Sequence, residues 1–220
     1  MKVSDLIYYM KLMEAPEFFK VFEAQLDSQL KLIRSKSIPR YVREWWIDES
    51  KRTLRYALFL RYYAAFESQL KLQCETFTRE EGYPLRLKDL SGDSLLDKVD
   101  TYLAKVAGRP PLREHRLWED LLSYMWVRNR IIHDDGQVWD VKNIPKFIAR
   151  FLKRRRTGLS ITSKGVVRLN RPFCPRAARC MARVLYDVYG SFPQIENVEG
   201  QDQSEEAEGV EPSASEQSCR

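Results

Sequence analysis

The sequence predicts a mainly helical protein, a helical bundle that carries a small β-hairpin and an acidic C-terminal tail. Over most of the chain the apolar residues recur at intervals of three or four, the period of a helix that packs on one side. Around Ser163-Lys164-Gly165 apolar and polar residues instead alternate, as they do in two strands joined by a turn. From residue 194 onward Glu, Ser, Gln and Gly replace the large apolar residues, a composition typical of disorder.

Size and charge divide the chain into a basic body and an acidic tail. The 220 residues are 44% hydrophobic, enough apolar material for one helical domain, which we assign to residues 1–193. Residues 194–220 contain eight acidic residues and one arginine, so with an overall charge of +6 the body carries +13. A basic body fits a polyanionic partner, because clustered cations release counterions from phosphates. We expect the tail to be disordered.

Two long helices are predicted in the first part of the chain. The first extends from about Glu17 to Arg34 and carries a single apolar stripe. That stripe consists of Phe18, Phe22, Leu26, Leu30 and Ile33. The second extends from about Trp45 to Phe77 and has apolar residues on two sides, which predicts that it lies at the centre of the bundle.

Helix start and stop signals place the other elements. Asp93 is predicted to cap a helix that ends at Gly108, before the Pro110-Pro111 pair. The later elements are a helix from about Arg113 to His133, closed by Asp134-Asp135-Gly136, a helix from about Ile144 to Arg155, a hairpin over about 159–169, and a last helix from about Pro175 to Tyr189. The β-structure is therefore expected to interrupt the bundle just before its last helix.

The helix that ends at His133 places polar groups among apolar ones. Its apolar arc contains Trp118, Leu121, Leu122, Met125 and Trp126. Asn129, Ile132 and His133 fall inside this arc, and Arg128 lies at its edge. An unpaired amide or imidazole on a burying face would cost about 1–3 kcal/mol, so these groups should have partners, a ligand or a cleft to face. From the residues alone, a satisfied polar pair of Asn129 and His133 in a helix interface is the favoured interpretation.

The stretch Arg128-Asn129-Arg130-Ile131-Ile132-His133 resembles the Arg-x-x-x-x-His motif of the HEPN superfamily. Many of these small helical domains are metal-independent endoribonucleases, and asparagine commonly follows the arginine of the motif. The earlier aromatic helix contains Tyr63-Ala64-Ala65-Phe66-Glu67, which is similar to the acidic helix of some members. The resemblance covers about residues 41–151 and implies a bundle of HEPN type.

The resemblance implies a reaction as well as a fold. An RNA 2′-hydroxyl would attack the adjacent phosphate and leave a 2′,3′-cyclic phosphate, with no metal or other cofactor. His133 would move the proton, because imidazole titrates near neutral pH. Arg128 would bind phosphate oxygens through its planar fork, and Asn129 would orient its neighbours. Members of the family pair their motifs across a two-fold axis, so a symmetric homodimer with a composite active site is expected.

The resemblance also implies a biological role, and one alternative function stays open beside it. The expected role is that of a toxin or an antiviral defence effector, with an antitoxin or regulatory protein as a further partner. The alternative is a catalytically inactive helical module that binds RNA or a protein. Glu67 is assigned only a supporting place beside the site, because it is as easily a salt-bridge partner. The structural alternative for Arg128 is an ion pair with Glu67 or Asp120.

A basic stripe follows the motif on the next predicted helix. It consists of Lys142, Lys146, Arg150, Lys153 and Arg154, opposite an apolar face. The stripe is a candidate surface for the RNA backbone, and a simply solvated face is the alternative. Three aromatic residues beside arginines are further candidates, in this case for base stacking: Tyr41, Trp45 and Trp46. The second histidine, His115, lies in a polar run and is expected to be solvent-exposed.

Several motifs are missing from the sequence. It contains no G-x-x-x-x-G-K-[ST], G-x-G-x-x-G, G-x-S-x-G or H-E-x-x-H, which disfavours nucleotide-triphosphatase, Rossmann, serine-hydrolase and zinc-protease functions. Two separated histidines and four cysteines without a C-x-x-C pair disfavour a transition-metal site. No apolar stretch approaches the roughly 18 residues needed to span a bilayer, so we expect a cytoplasmic protein without a membrane partner.

Overall fold

The computed structural model describes residues 3–34, 38–154 and 156–189. Its helices are α1 (Val3–Arg34), α2 (Arg40–Glu81), α3 (Leu95–Lys105), α4 (Trp118–Asp134), α5 (Lys146–Lys153) and α6 (Phe173–Tyr189). Strands β1 (Leu159–Ile161) and β2 (Val167–Leu169) form an antiparallel pair between α5 and α6. The mainly helical prediction with a small hairpin is thereby confirmed, whereas the predicted disordered tail lies outside the described residues. No described helix is both long and apolar enough to cross a membrane.

Helix α2 is the centre of the bundle, as its two apolar sides predict. It packs against α1, α3, α4 and α6. Phe59, Phe66 and Leu70 are completely buried along it. The ring of Phe59 lies 5.1 Å from that of Phe173 in α6, edge to face, so α2 and α6 share an aromatic core.

Helix α1 buries only part of the predicted stripe, because Leu30 is buried but the two stripe phenylalanines are not. Phe18 and Phe22 are 48% and 37% exposed, while Phe19, Glu23 and Leu30 are buried. The reason is electrostatic, because the Glu23 carboxylate accepts hydrogen bonds from one arginine of α2 and from another in the segment before α6. Arg55 Nε and Nη2 donate to it over 2.6 and 2.9 Å, and Arg171 Nε donates over 3.2 Å. A buried ion pair thus sets the rotation of α1.

Glu23 is held ionised by these arginines. Burial would raise the pKa of its carboxyl, but the hydrogen bonds and charges of Arg55 and Arg171 hold that pKa below the ordinary value. Arg55 also donates to the Leu169 carbonyl in β2 over 3.1 Å. One guanidinium therefore links α1, α2 and the hairpin.

The segment before α4 differs from the prediction in two details. Ser94, not Asp93, caps α3, because its Oγ accepts a hydrogen bond from the Asp97 amide over 3.2 Å. The helix predicted from Arg113 begins only at Trp118, after a short 3₁₀ turn over Leu112–Glu114. The Arg113 amide and Nε both donate to the buried Asp100 carboxylate over 2.7 Å, which ties this turn to α3.

The hairpin has the predicted strands, with Leu159 opposite Leu169 and Ile161 opposite Val167. Leu159, Val167 and Leu169 are buried. The hairpin therefore packs onto the bundle through its alternating apolar residues, on the side where α2 and α4 meet it.

Candidate active site at the end of α4

Helix α4 is rotated relative to the predicted arc. The apolar residues that it buries are Leu121, Tyr124, Val127 and Ile131. Ile132, by contrast, is 47% exposed, His133 is exposed and Asn129 is half-buried. The prediction that these three residues lie on the burying face is therefore wrong. Tyr124 decides the rotation, because its ring packs edge to face at 5.6 Å against both Phe151 and Phe173.

Two polar residues of α4 are buried, although the helical pattern places them on the solvent-facing side. Asp120 is 5% exposed and is paired with Arg154 just beyond α5. Ser123 is fully buried, and its hydroxyl donates to the Glu119 carbonyl one turn earlier over 2.7 Å. Both groups have partners, so the core accepts them at positions that the sequence pattern treats as solvent-facing.

Arg128 is held between two polar side chains. Its Nη1 donates to Asn129 Oδ1 over 3.1 Å, and its Nη2 lies 3.9 Å from Glu67 Oε2 on α2. All three side chains are half-buried. The structure thus brings Arg128, Asn129 and Glu67 together, and of the two pairing partners considered for the arginine it selects Glu67. Asp120 is engaged with Arg154 instead.

His133 stands apart from this cluster. It is exposed, and it has no hydrogen bond or ion pair with any residue in the described part of the chain. It lies one helical turn beyond Asn129, about 6 Å further along the axis. The interpretation of Asn129 and His133 as a satisfied polar pair in a helix interface is therefore wrong. The His133 imidazole is therefore accessible to a ligand, and the Arg128 guanidinium is held by Asn129 and Glu67.

The chain turn after His133 is fixed by an arginine of α2. Asp135 takes the left-handed conformation that ends α4, with φ of 48°, and Gly136 follows with φ of 78°. The predicted closing segment is correct, although Asp135 rather than the glycine takes the first left-handed position. Arg52 Nη1 donates to the Asp135 carbonyl over 3.2 Å, and Nη2 donates to its carboxylate over 3.1 Å.

The hairpin fixes the same segment from the other side. The Val138 amide donates to the Gly165 carbonyl over 2.7 Å, and the Val167 amide donates to the Gly136 carbonyl over 2.9 Å. The Tyr56 hydroxyl donates to the Val167 carbonyl over 2.6 Å, and burial raises the pKa of this phenol. A Cβ at position 136 would collide with the Tyr56 hydroxyl, so this position requires glycine for both its φ and its space.

Sequence reasoning missed Arg52 and Tyr56, the two α2 side chains that position the end of the motif helix. Their partners are 83 and 111 residues away along the chain. The available signal was weak: an arginine and a tyrosine four residues apart on the helix predicted to be central. Spacing alone gives no indication of which distant backbone groups such side chains contact.

The basic stripe is partly neutralised. Arg150 Nη2 lies 2.5 Å from Glu119 Oε1, and Arg154 pairs with both Glu119 and Asp120 on α4. These two arginines are therefore engaged by α4 carboxylates while their side chains stay 62% and 42% exposed, and the stripe as an RNA-binding surface stays a prediction. The other members are Lys142, which lies in the loop before α5, and Lys146 and Lys153, which are exposed on α5. These three lysines have no ion pair with any residue in the described part of the chain.

His115 has a structural role. Its Nδ1 accepts a hydrogen bond from the Leu117 amide over 3.1 Å, and its Nε2 lies 3.2 Å from Asp187 Oδ2 on α6. The side chain is only 14% exposed, so the prediction of a solvent-exposed histidine is wrong. Of the two imidazoles in the chain, only His133 is open.

No family model, curated protein or solved structure matches the chain. The site must therefore be interpreted from its own chemistry. Among the described residues, no group of three or more His, Cys, Asp or Glu side chains is placed to hold a metal ion. What the end of α4 offers is an oriented guanidinium, an amide that holds it and an open imidazole.

Proposed function

We propose that this chain is a HEPN-type endoribonuclease that cleaves RNA without a metal ion. The observation that carries the proposal is the end of α4, where the exposed His133 lies five residues, about 7.5 Å along the helix axis, beyond Arg128, whose guanidinium is held by Asn129 and Glu67. The biological role that goes with this activity is that of a toxin or antiviral defence effector, with an antitoxin or regulatory protein as a second partner.

The proposed chemistry is transesterification by the RNA itself. The 2′-hydroxyl oxygen bonds to the adjacent phosphorus, the bond from phosphorus to the 5′-oxygen breaks, and the products are a 2′,3′-cyclic phosphate and a 5′-hydroxyl. One imidazole takes the proton from the 2′-hydroxyl, and a protonated imidazole gives one to the departing 5′-oxygen. Each chain supplies one open imidazole, His133, so two copies across a two-fold axis would supply both.

Arg128 would stabilise the charge that builds up on the phosphate oxygens. A guanidinium fork binds two such oxygens at once, and the effect is greatest when the fork is already oriented. Asn129 and Glu67 supply that orientation through their contacts at 3.1 and 3.9 Å. In this proposal, Asn129 and Glu67 position the arginine, and only Arg128 and His133 touch the reacting atoms.

The proposed homodimer is supported by the outer face of α4. Ile132 is 47% exposed beside the motif, while Met125 and Trp126 are only partly buried on the same side of the helix. An isoleucine exposed on the face that carries the site is the kind of residue that a second copy would cover. A two-fold contact there would bring the two His133 residues to one cleft.

Replacing Ile132 by lysine is expected to convert the dimer to a monomer and to abolish RNA cleavage while the chain stays folded. A lysine on both sides of a two-fold contact places like charges in an apolar interface, whereas in the free monomer the side chain faces water. Light scattering after gel filtration measures the mass, and circular dichroism measures folding. Ile132→Val is the matched control and should remain dimeric. A folded Ile132→Lys variant that is still dimeric and active would contradict the α4 contact.

The test of the nuclease is metal-free incubation of the full chain with labelled transfer, messenger and ribosomal RNAs in the presence of EDTA. The wild-type chain should produce fragments with 2′,3′-cyclic phosphate and 5′-hydroxyl ends. His133→Ala should reduce cleavage at least 100-fold, because it removes the only open imidazole. His115→Gln removes the other imidazole and should leave cleavage unchanged. Undiminished cleavage by His133→Ala would rule out the proposed mechanism.

A second candidate is a catalytically inactive module that binds RNA or a protein. The observation in its favour is that Arg128 is already engaged by Asn129 and Glu67, as an arginine with a structural role would be. This candidate predicts RNA binding that weakens with salt and no cleavage by the wild-type chain. The same incubation separates the two functions, because only the nuclease raises the yield of cyclic-phosphate ends above that of RNA incubated without protein.

A further inference from the structure

A cleft opens between the first turns of α2 and the hairpin, next to the end of α4. Its volume is about 910 Å³, which is large enough for a nucleotide with its neighbours. One wall is α2 with Trp45, and the other is the hairpin with its tip residue Lys164. Arg52 lines the cleft and also bonds to Asp135, two residues after His133. The cleft is therefore adjacent to the motif helix.

Trp45 presents an indole to this cleft. Its side chain is 61% exposed, and the neighbouring Trp46 is 52% exposed but does not line the cleft. Tryptophan side chains usually bury most of their surface in the core, so one exposed in a cleft is unusual. The flat face of an exposed indole is a surface on which an unpaired base stacks. The structure thus separates the candidate stacking residues, since Trp45 is placed at a recess and Trp46 is not.

The carboxylates of the cleft are matched by arginines. The pairs are Glu44 with Arg40, Asp48 with Arg168 and Glu49 with Arg52, at 2.7, 3.2 and 2.8 Å. Lys164 faces the same cleft and has no ion pair with any residue among those that the structure describes. The cleft therefore has a surplus of positive charge at the hairpin tip, which favours an anionic group there.

The tip that carries Lys164 is held in place by the segment that follows α4. Gln137 Nε2 donates to the Lys164 carbonyl over 2.9 Å, and the Val138 amide donates to the Gly165 carbonyl over 2.7 Å. Gly165 takes φ of 77° in this turn, where a Cβ would collide with the Val138 carbonyl. The lysine is thus presented from a fixed turn rather than from a free loop.

We propose that this cleft binds an unpaired nucleotide of a single-stranded RNA, with the base stacked on Trp45 and a phosphate at Lys164. An aromatic face and an unmatched cation on opposite walls suit a base and its phosphate, and the basic body favours a polyanion. The proposal rests on the proposed function in that the same RNA strand would continue past Arg52 to His133. It assigns substrate recognition to the hairpin, which the HEPN-like residues 41–151 do not include.

The experiment measures binding without cleavage. The full chain carrying His133→Ala is titrated onto a fluorescently labelled oligouridylate of twelve nucleotides, and the Kd is read from fluorescence anisotropy. Adding Trp45→Ala should weaken binding roughly tenfold, the scale of one lost base stack. Adding Lys164→Ala should weaken binding at low salt and reduce the salt slope by about one. Trp46→Ala and Lys105→Ala are matched controls on exposed positions outside the cleft and should leave the Kd unchanged.

The outcomes separate this proposal from the nuclease. Unchanged affinity in both Trp45→Ala and Lys164→Ala overturns the cleft, and so does a His133→Ala chain that binds no oligouridylate. Uridine 3′-monophosphate that competes as tightly as the oligomer would replace RNA by a free nucleotide and likewise overturn the proposal. If both variants weaken binding while the wild-type chain never cleaves RNA, the cleft stands and the proposed nuclease fails. If the wild-type chain cleaves RNA and neither variant changes the Kd, the proposed nuclease stands and the cleft is overturned.

Discussion

For the proposed nuclease, replacing Arg128 by lysine is expected to reduce the rate of RNA cleavage by about 100- to 1000-fold while the chain remains folded. An ammonium keeps the charge, but it cannot bind two phosphate oxygens in one plane, and preorganised donors of this kind contribute about that much to a rate. The lysine also loses the hydrogen-bonding geometry through which Asn129 holds the guanidinium. The measurement is the single-turnover rate of oligonucleotide cleavage in EDTA, with circular dichroism as the test of folding.

Arg130→Lys is the matched control for this change. Arg130 belongs to the same helix, two residues further on, but it pairs with Asp134 at 2.9 Å and not with Asn129. Its replacement keeps the charge and should change the cleavage rate by less than threefold, an effect of about 0.6 kcal/mol. If Arg128→Lys and Arg130→Lys cleaved at the same rate as the wild-type chain, Arg128 would be a structural ion-pair partner of Glu67.

Replacing Glu23 by alanine is expected to lower the free energy of unfolding by about 3–5 kcal/mol. The carboxylate is 4% exposed, and its removal leaves the largely buried Arg55 guanidinium without its counter-charge. Urea unfolding at pH 7 measures the loss. Asp27→Ala is the control, since Asp27 pairs with Arg171 at the surface, where an ion pair contributes about 0–1 kcal/mol. Equal losses from the two changes would show that burial of Glu23 contributes nothing.

The contribution of Glu23 should also depend on pH. Its pKa is lower in the folded chain than in the unfolded chain, so the unfolded chain binds the proton more tightly in acid. The stabilisation is therefore complete above the ordinary carboxyl pKa of 4.5 and is lost as the pH falls below it. The difference in unfolding free energy between the wild-type chain and Glu23→Gln should shrink between pH 5 and pH 3. A constant difference over that range would contradict the ion pair.

Periodicity predicted the parts of the fold that depend on local pattern. The central position of α2 followed from its two apolar sides, and the strands around Ser163-Lys164-Gly165 followed from their alternation. These elements could be predicted because each satisfies its own backbone groups and buries residues that are apolar by type. The candidate site was predicted as a set of residue types at a spacing, and the turn that closes its helix was predicted as well.

Rotation of the helices could not be predicted, because it depends on partners far along the chain. Glu23 and Asp120 are charged residues in the core, and they are accepted there by Arg55 and Arg154, which lie 32 and 34 positions away. His115 is covered because Asp187, 72 positions away, pairs with it. A pattern that sorts residues by polarity places all three in solvent. The predicted apolar arc of α4 is then turned away from the face that the helix buries, and the predicted stripe of α1 coincides with its buried face only in part.

Two hydrogen bonds tie the turn after α4 to the hairpin, one from the Val138 amide to Gly165 and one from the Val167 amide to Gly136. A shortened form of this domain must therefore keep the hairpin. A fragment limited to residues 41–151 would contain the whole Arg128–His133 stretch but none of the strand that closes the end of its helix. During synthesis α4 also emerges before β2, so the turn after His133 reaches its final position only when residue 167 has been made. Truncation before the hairpin, and every nascent chain shorter than that, therefore leaves the helix end frayed.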